Sequence, residues 1–111
     1  MNEREKKERM RMWDLKDLIV ARVCKVKGIT IRDGNMYDKD GVPMLYHDHE
    51  CVAFADNPVK VDANESVIAV YLYGDFCLEL NVHDGNPNDY GESYNWGNFS
   101  PNILEQVLNR L

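Results

Sequence analysis

The stretch SVIAVYLYGDFCLELNVH, running from Ser66 to His83, decides the fold. Two apolar runs flank Gly74-Asp75, and so short a break makes them an antiparallel hairpin, because Gly and Asp accept the turn dihedrals that bulkier residues resist. A two-residue loop predicts a register in which Tyr73 faces Phe76, Tyr71 faces Leu78, Ala69 faces Leu80 and Val67 faces Val82. These eight residues then form the predicted core face. Ile68, Val70 and Leu72, with Cys77, Glu79 and Asn81, form a mixed second face that water partly covers.

Upstream, the signals are again those of short strands. Ile29 to Arg32 and Asn35 to Asp38 flank Asp33-Gly34, a type I′ hairpin pair. Asp38-Lys39-Asp40-Gly41 reads as a turn, and a strand is expected around Val42 to His49. Cys51 to Phe54 and Val59 to Val61 make two more, separated by Asp56-Asn57-Pro58. The long segment from Glu3 to Lys27 is helical in pattern, with Met12, Leu15, Ile19, Val23 and Val26 on one stripe and Gly28 placed as a left-handed terminator. About 37 Å of helix exceeds what a domain of this size covers, so residues 1–9 are expected to overhang. Residues 84–99 read as the longest loop. Ser100 caps a closing helix with Pro101 at its first position and Ile103, Leu104, Val107, Leu108 and Leu111 on its buried side. The prediction is a single α+β domain over residues 1–111: an antiparallel meander of about five or six strands with a long N-terminal and a short C-terminal helix packed on it.

Charge is divided by position. Residues 1–27 carry nine basic and five acidic side chains, a balance of +4, while residues 28–111 carry four basic and fourteen acidic ones, a balance of -10. An acidic body repels phosphate and attracts basic surfaces, so nucleic acid is an unexpected ligand and a protein partner with basic residues an expected one. The longest apolar run, Val67 to Tyr73, is far short of a membrane span, and no apolar leader follows Met1, so the expected compartment is the cytoplasm. Cys24, Cys51 and Cys77 are an odd number without a Cys-x-x-Cys pair, which fits reduced thiols.

Three groups of residues are candidates for function. His47, His49 and His83 are the metal candidates: a His-x-His pair on a strand with a third histidine from a neighbour is a set for zinc. Tyr90 and Tyr94, with Asp84, Asp89 and Glu92 among Asn, Gly and Ser, have the composition of a recognition loop, and Trp96 and Phe99 are expected to fold down against the core. The apolar stripe of the first helix is a candidate for self-association. Other chemistry finds little support. Placing Gly41 at the calcium-loop glycine puts Met36 and His47 where the first and last ligands belong. No motif creates an activated thiol, and the glycines cradle no phosphate.

The order of a leading helix, a meander with Asp-Gly hairpins at Asp33-Gly34 and around Gly74-Asp75, and a Ser100-Pro101 capped closing helix resembles the small α+β proteins encoded by phages and mobile elements of gut bacteria. The resemblance is one of layout, and it implies an accessory role. The reading reached from the residues is a non-enzymatic acidic binding or regulatory protein, one version being an accessory inhibitor that mimics nucleic-acid charge. The competing reading is a small metal-binding protein or metalloenzyme built on His47, His49 and His83.

Overall fold

A computed structural model describes residues 2–54, 58–61, 64–83 and 92–111, and within them the backbone alone at Glu8, Ala53, Asn64, Glu92, Ser93 and Tyr94. The fold is α+β. Helix α1 spans Glu3–Lys27, opened by the Asn2 side chain, which accepts from the Glu5 amide at 2.9 Å. It ends at Gly28, whose φ of 72° lets the Ile29 amide turn back to the Cys24 carbonyl at 2.8 Å, the expected Schellman closure. Leu15, Ile19, Val20, Val23 and Cys24 are its buried residues. Val26, expected in that stripe, is 54% exposed, and Val20 and Cys24 take its share of the contact. Every described side chain from Asn2 to Arg11 is exposed.

Strands β1 (Thr30–Arg32) and β2 (Asn35–Tyr37) form a separate hairpin, with Asp33 and Gly34 both at positive φ as the type I′ turn requires. The strand expected from Val42 to His49 is instead a loop up to Asp48, touching β2 by one bridge between Tyr37 and Pro43. Two aspartates explain the difference. The Asp38 carboxylate accepts from the Asp40 and Val42 amides, and Asp48 accepts from the Leu45 amide, all at 2.9 Å. Backbone donors that a strand ladder would use are thus bound by side chains, and Pro43 has none to offer.

The main sheet contains β3 (His49–Ala53), β5 (Asn64–Tyr73), β6 (Leu78–His83) and β7 (Glu92–Asn95) in that order, with β4 (Val59–Val61) paired to the start of β5. All pairings are antiparallel. The central hairpin is shifted by one residue from the predicted register: Leu72 faces Leu78, Tyr71 faces Glu79, Val70 faces Leu80 and Ile68 faces Val82. Leu78 and Leu80 are in the core as expected, so the one-residue shift turns over β5 alone. Ile68, Val70 and Leu72 therefore join them in the core with α1, and Tyr71 and Tyr73 stand on the other side.

The cause lies at Gly74. A Cβ there would sit 2.1 Å from the Leu45 carbonyl oxygen, so this glycine serves a close backbone approach and not a positive φ. Phe76 takes the left-handed position instead, at φ 66°, and the loop grows to three residues closed by Phe76 amide to Tyr73 carbonyl and Tyr73 amide to Cys77 carbonyl. A bulky residue in that region costs about 1–2 kcal/mol, which the packing of Phe76 against the core offsets.

Part of the predicted long loop is ordered as β7 and a 3-10 turn at Trp96–Asn98; residues 84–91 lie outside the described residues. Helix α2 (Pro101–Arg110) starts at Ser100, whose hydroxyl accepts from the Ile103 amide at 3.3 Å, and it buries Leu104 and Val107. Phe99 is buried and Trp96 half-buried, as expected, the latter edge-on to Trp13 with centroids 5.0 Å apart. Arg11 pairs with Glu105, and Arg22 donates to the Leu111 carbonyl, which ties α1 to α2. Gln106 holds both the amide and the carbonyl of Lys60 on β4.

Two measurements follow from the register. Leu80→Ala is expected to cost about 2–5 kcal/mol in denaturant melts and Tyr71→Ala about 1 kcal/mol or less; a cost of about 2–5 kcal/mol at both positions would match the unshifted hairpin, which buries both. Gly74→Ala is expected to cost about 1–3 kcal/mol, since the loop backbone must move to admit a methyl group, and the amide signals that shift should include Leu45 and Asp48.

Candidate interaction surface

The shifted register determines what the second face of the sheet presents. Along β5 it carries Val67, Ala69, Tyr71 and Tyr73; β3 adds His49 and Cys51, and β6 adds Glu79, Asn81 and His83. The core joined by α1 and α2 includes none of these residues. Exposure is graded along the face, with Val67, Ala69 and His83 buried at one end and Tyr71, Tyr73 and His49 open to solvent in part or in full at the hairpin end.

Aromatic rings gather at that hairpin end. The His49 ring lies 5.6 Å from Tyr71, edge-on, and 5.3 Å from Tyr73, tilted. The Tyr73 hydroxyl donates to Glu79 at 3.1 Å. Burial is the largest influence raising the Tyr73 phenol above its ordinary value, followed by its hydrogen bond to Glu79 and that carboxylate's charge. Tyr71 is raised by burial first, then by Cys51 and Glu79.

The loop before β3 packs onto this end. The Asp48 carbonyl accepts from the Gly74 amide at 2.9 Å, and the Asp48 amide donates to the Leu45 carbonyl, which in turn abuts Gly74. Fixing the backbone in this way leaves two large side chains standing in water: Leu45 is 57% and Tyr46 73% exposed. Asp48 is bonded to the Leu45 amide, and Asp75 follows Gly74, which the loop contacts. The charge of Lys16, on α1, acts on Cys77 at this end.

The three histidines proposed for metal are not brought together. His49 pairs with Tyr73 and His83 with Val67, six residues apart along β5, a separation of about 20 Å. His47 lies in the loop with its side chain 62% exposed, 3.7 Å from Asp48. His83 is 6% exposed, with no hydrogen-bond partner at Nδ1 among the described residues. Among the described residues, no group of three or more His, Cys, Asp or Glu side chains is arranged to hold a metal ion. Cys24 and Cys77 are both raised above the ordinary thiol value, first by burial, the opposite of what an activated nucleophile needs.

Of the recognition-loop candidates, Asp84, Asp89 and Tyr90 lie outside the described residues. Glu92 and Tyr94 stand on β7, opposite Val82 and Leu80. The surface built from Leu45, Tyr46, His49, Tyr71, Tyr73 and Glu79 was missed from sequence because Tyr71 and Tyr73 were assigned to the core. Among the described residues, no helix is long and apolar enough to cross a membrane. No protein-family model, curated protein sequence or solved structure matches the chain.

The raised phenols have a testable consequence. A phenol whose folded value is raised favours the neutral form, so its stabilising contribution is complete below the ordinary value of 10.0 and is lost as pH rises through the raised one. Absorbance titration should show a tyrosine component ionising later than free tyrosine and absent from a Tyr71→Phe, Tyr73→Phe variant.

Proposed function

We propose that this chain is a non-enzymatic binding or regulatory protein whose acidic hairpin-end surface engages a protein partner carrying basic residues. One observation carries the reading: Leu45 and Tyr46 are held in solvent by a loop whose backbone is hydrogen-bonded on both sides of them, with the Asp48 carboxylate on the Leu45 amide and Asp75 following the Gly74 that the loop contacts. Exposed apolar area costs about 25 cal/mol per Å² relative to its burial, and a partner recovers that by covering it. Tyrosine is enriched among the residues that anchor interfaces. The surrounding carboxylates select a basic rim and speed encounter more than they add affinity. An accessory inhibitor that occupies a nucleic-acid groove by charge mimicry is the narrower version of the same reading.

Affinity capture from the native host tests it, using the wild-type chain, a Leu45→Ser, Tyr46→Ser variant, and a variant with Asp84, Asp89 and Glu92 changed to Lys. A partner of the hairpin-end surface is expected to be lost with the first variant, with affinity down at least about tenfold, the loss typical of anchor residues. Its association rate should fall as salt rises, since the Debye length is about 8 Å at physiological ionic strength. Loss with the second variant only would move the surface to residues 84–92. Equal capture by all three proteins at low and high salt would remove the reading.

A further inference from the structure

We infer that the cationic group taken by this surface is a guanidinium: an arginine side chain of the partner, seated against the Tyr71 and Tyr73 rings and bonded to Glu79. This inference rests on the docking role proposed above and adds its chemistry. Tyr71 and Tyr73 are two residues apart on one strand, so their rings rise from the same face about 7 Å apart, a spacing that side-by-side recognition of a flat group can use. His49, from the neighbouring strand, sets a third ring against both. Aromatic faces attract cations, and Arg uses them better than Lys because its group is planar and weakly hydrated.

Glu79 completes the recognition. Its Oε2 accepts the Tyr73 hydroxyl, which orients the carboxylate and the ring together, while Oε1 accepts no hydrogen bond from the described residues. Nor does any Lys or Arg pair with Glu79 among those residues. A half-buried carboxylate beside two tyrosine rings, with no Lys or Arg on it among the described residues, is complementary to one planar donor that stacks and donates at once. The chain already contains this contact elsewhere: the Arg32 guanidinium lies 4.3 Å from the Tyr37 ring centroid in the first hairpin.

The test uses two matched peptides, one alternating Gly with Arg and the other Gly with Lys, titrated into the full chain at low salt and followed by NMR. The Arg peptide should shift the ring signals of Tyr71, Tyr73 and His49 and bind about threefold to fivefold more tightly than the Lys peptide, the factor expected of an exposed cation–π contact. Tyr71→Leu and Glu79→Gln should reduce Arg affinity to the Lys level, whereas Tyr71→Phe, which keeps the ring, should retain it. Unperturbed amide spectra away from the site will show that each variant is folded. Equal affinity of both peptides at the hairpin end would overturn the guanidinium and leave acidic docking standing. If neither peptide binds, or both bind elsewhere, the docking role falls and the inference falls with it.

Discussion

The approach of the Leu45 carbonyl to Gly74 is the constraint on which the rest of the sheet depends. A side chain at residue 74 would collide with that oxygen, so the turn of the central hairpin is shaped from outside by a loop 29 residues earlier. Its own sequence would favour a tighter turn. The longer turn selects the register, the register selects the face, and the face determines that leucines and valines meet α1 while tyrosines meet water. A contact between two backbone segments thus decides the chemistry of a surface several residues away.

What was legible in the sequence was whatever local chemistry determines. Gly28, Asp33-Gly34 and Ser100-Pro101 act on the residues next to them, and each does in the structure what its type dictates. The hairpin at Gly74 was legible as a hairpin but not in register, because both faces are rich in apolar residues and alternation alone did not separate Val70 from Tyr71. The loop from Asp38 to Asp48 was misread for a related reason. Its apolar residues resemble a strand, and only the geometry shows that Asp38 and Asp48 have taken the backbone donors.

The candidate surface inherited these limits. His47, His49 and His83 look close in a flat reading of strands, yet pairing with opposite ends of β5 separates two of them. The division of charge by position is also less clean in space. Lys39 packs beside Gly28 at the end of α1, among Lys25, Lys27, Asp38 and Asp40, so that end of the molecule is a mosaic. The hairpin end, by contrast, collects the rings of His49, Tyr71 and Tyr73 with the Glu79 carboxylate.

Strand β5 has partners along both edges: β3 and β4 share one, and β6 occupies most of the other. Fraying from the Tyr73 end therefore has to break hydrogen bonds to both β3 and β6, and fully buried Ile68, Val70 and Leu72 are expected in the part of the molecule that opens last. Tyr71 and Tyr73 project from that same strand, and the loop bearing Leu45 and Tyr46 is bonded to its end. A surface mounted on the slowest-opening element is already ordered before any partner arrives. Association there gives up little backbone entropy, so contacts that are individually weak can be retained as affinity.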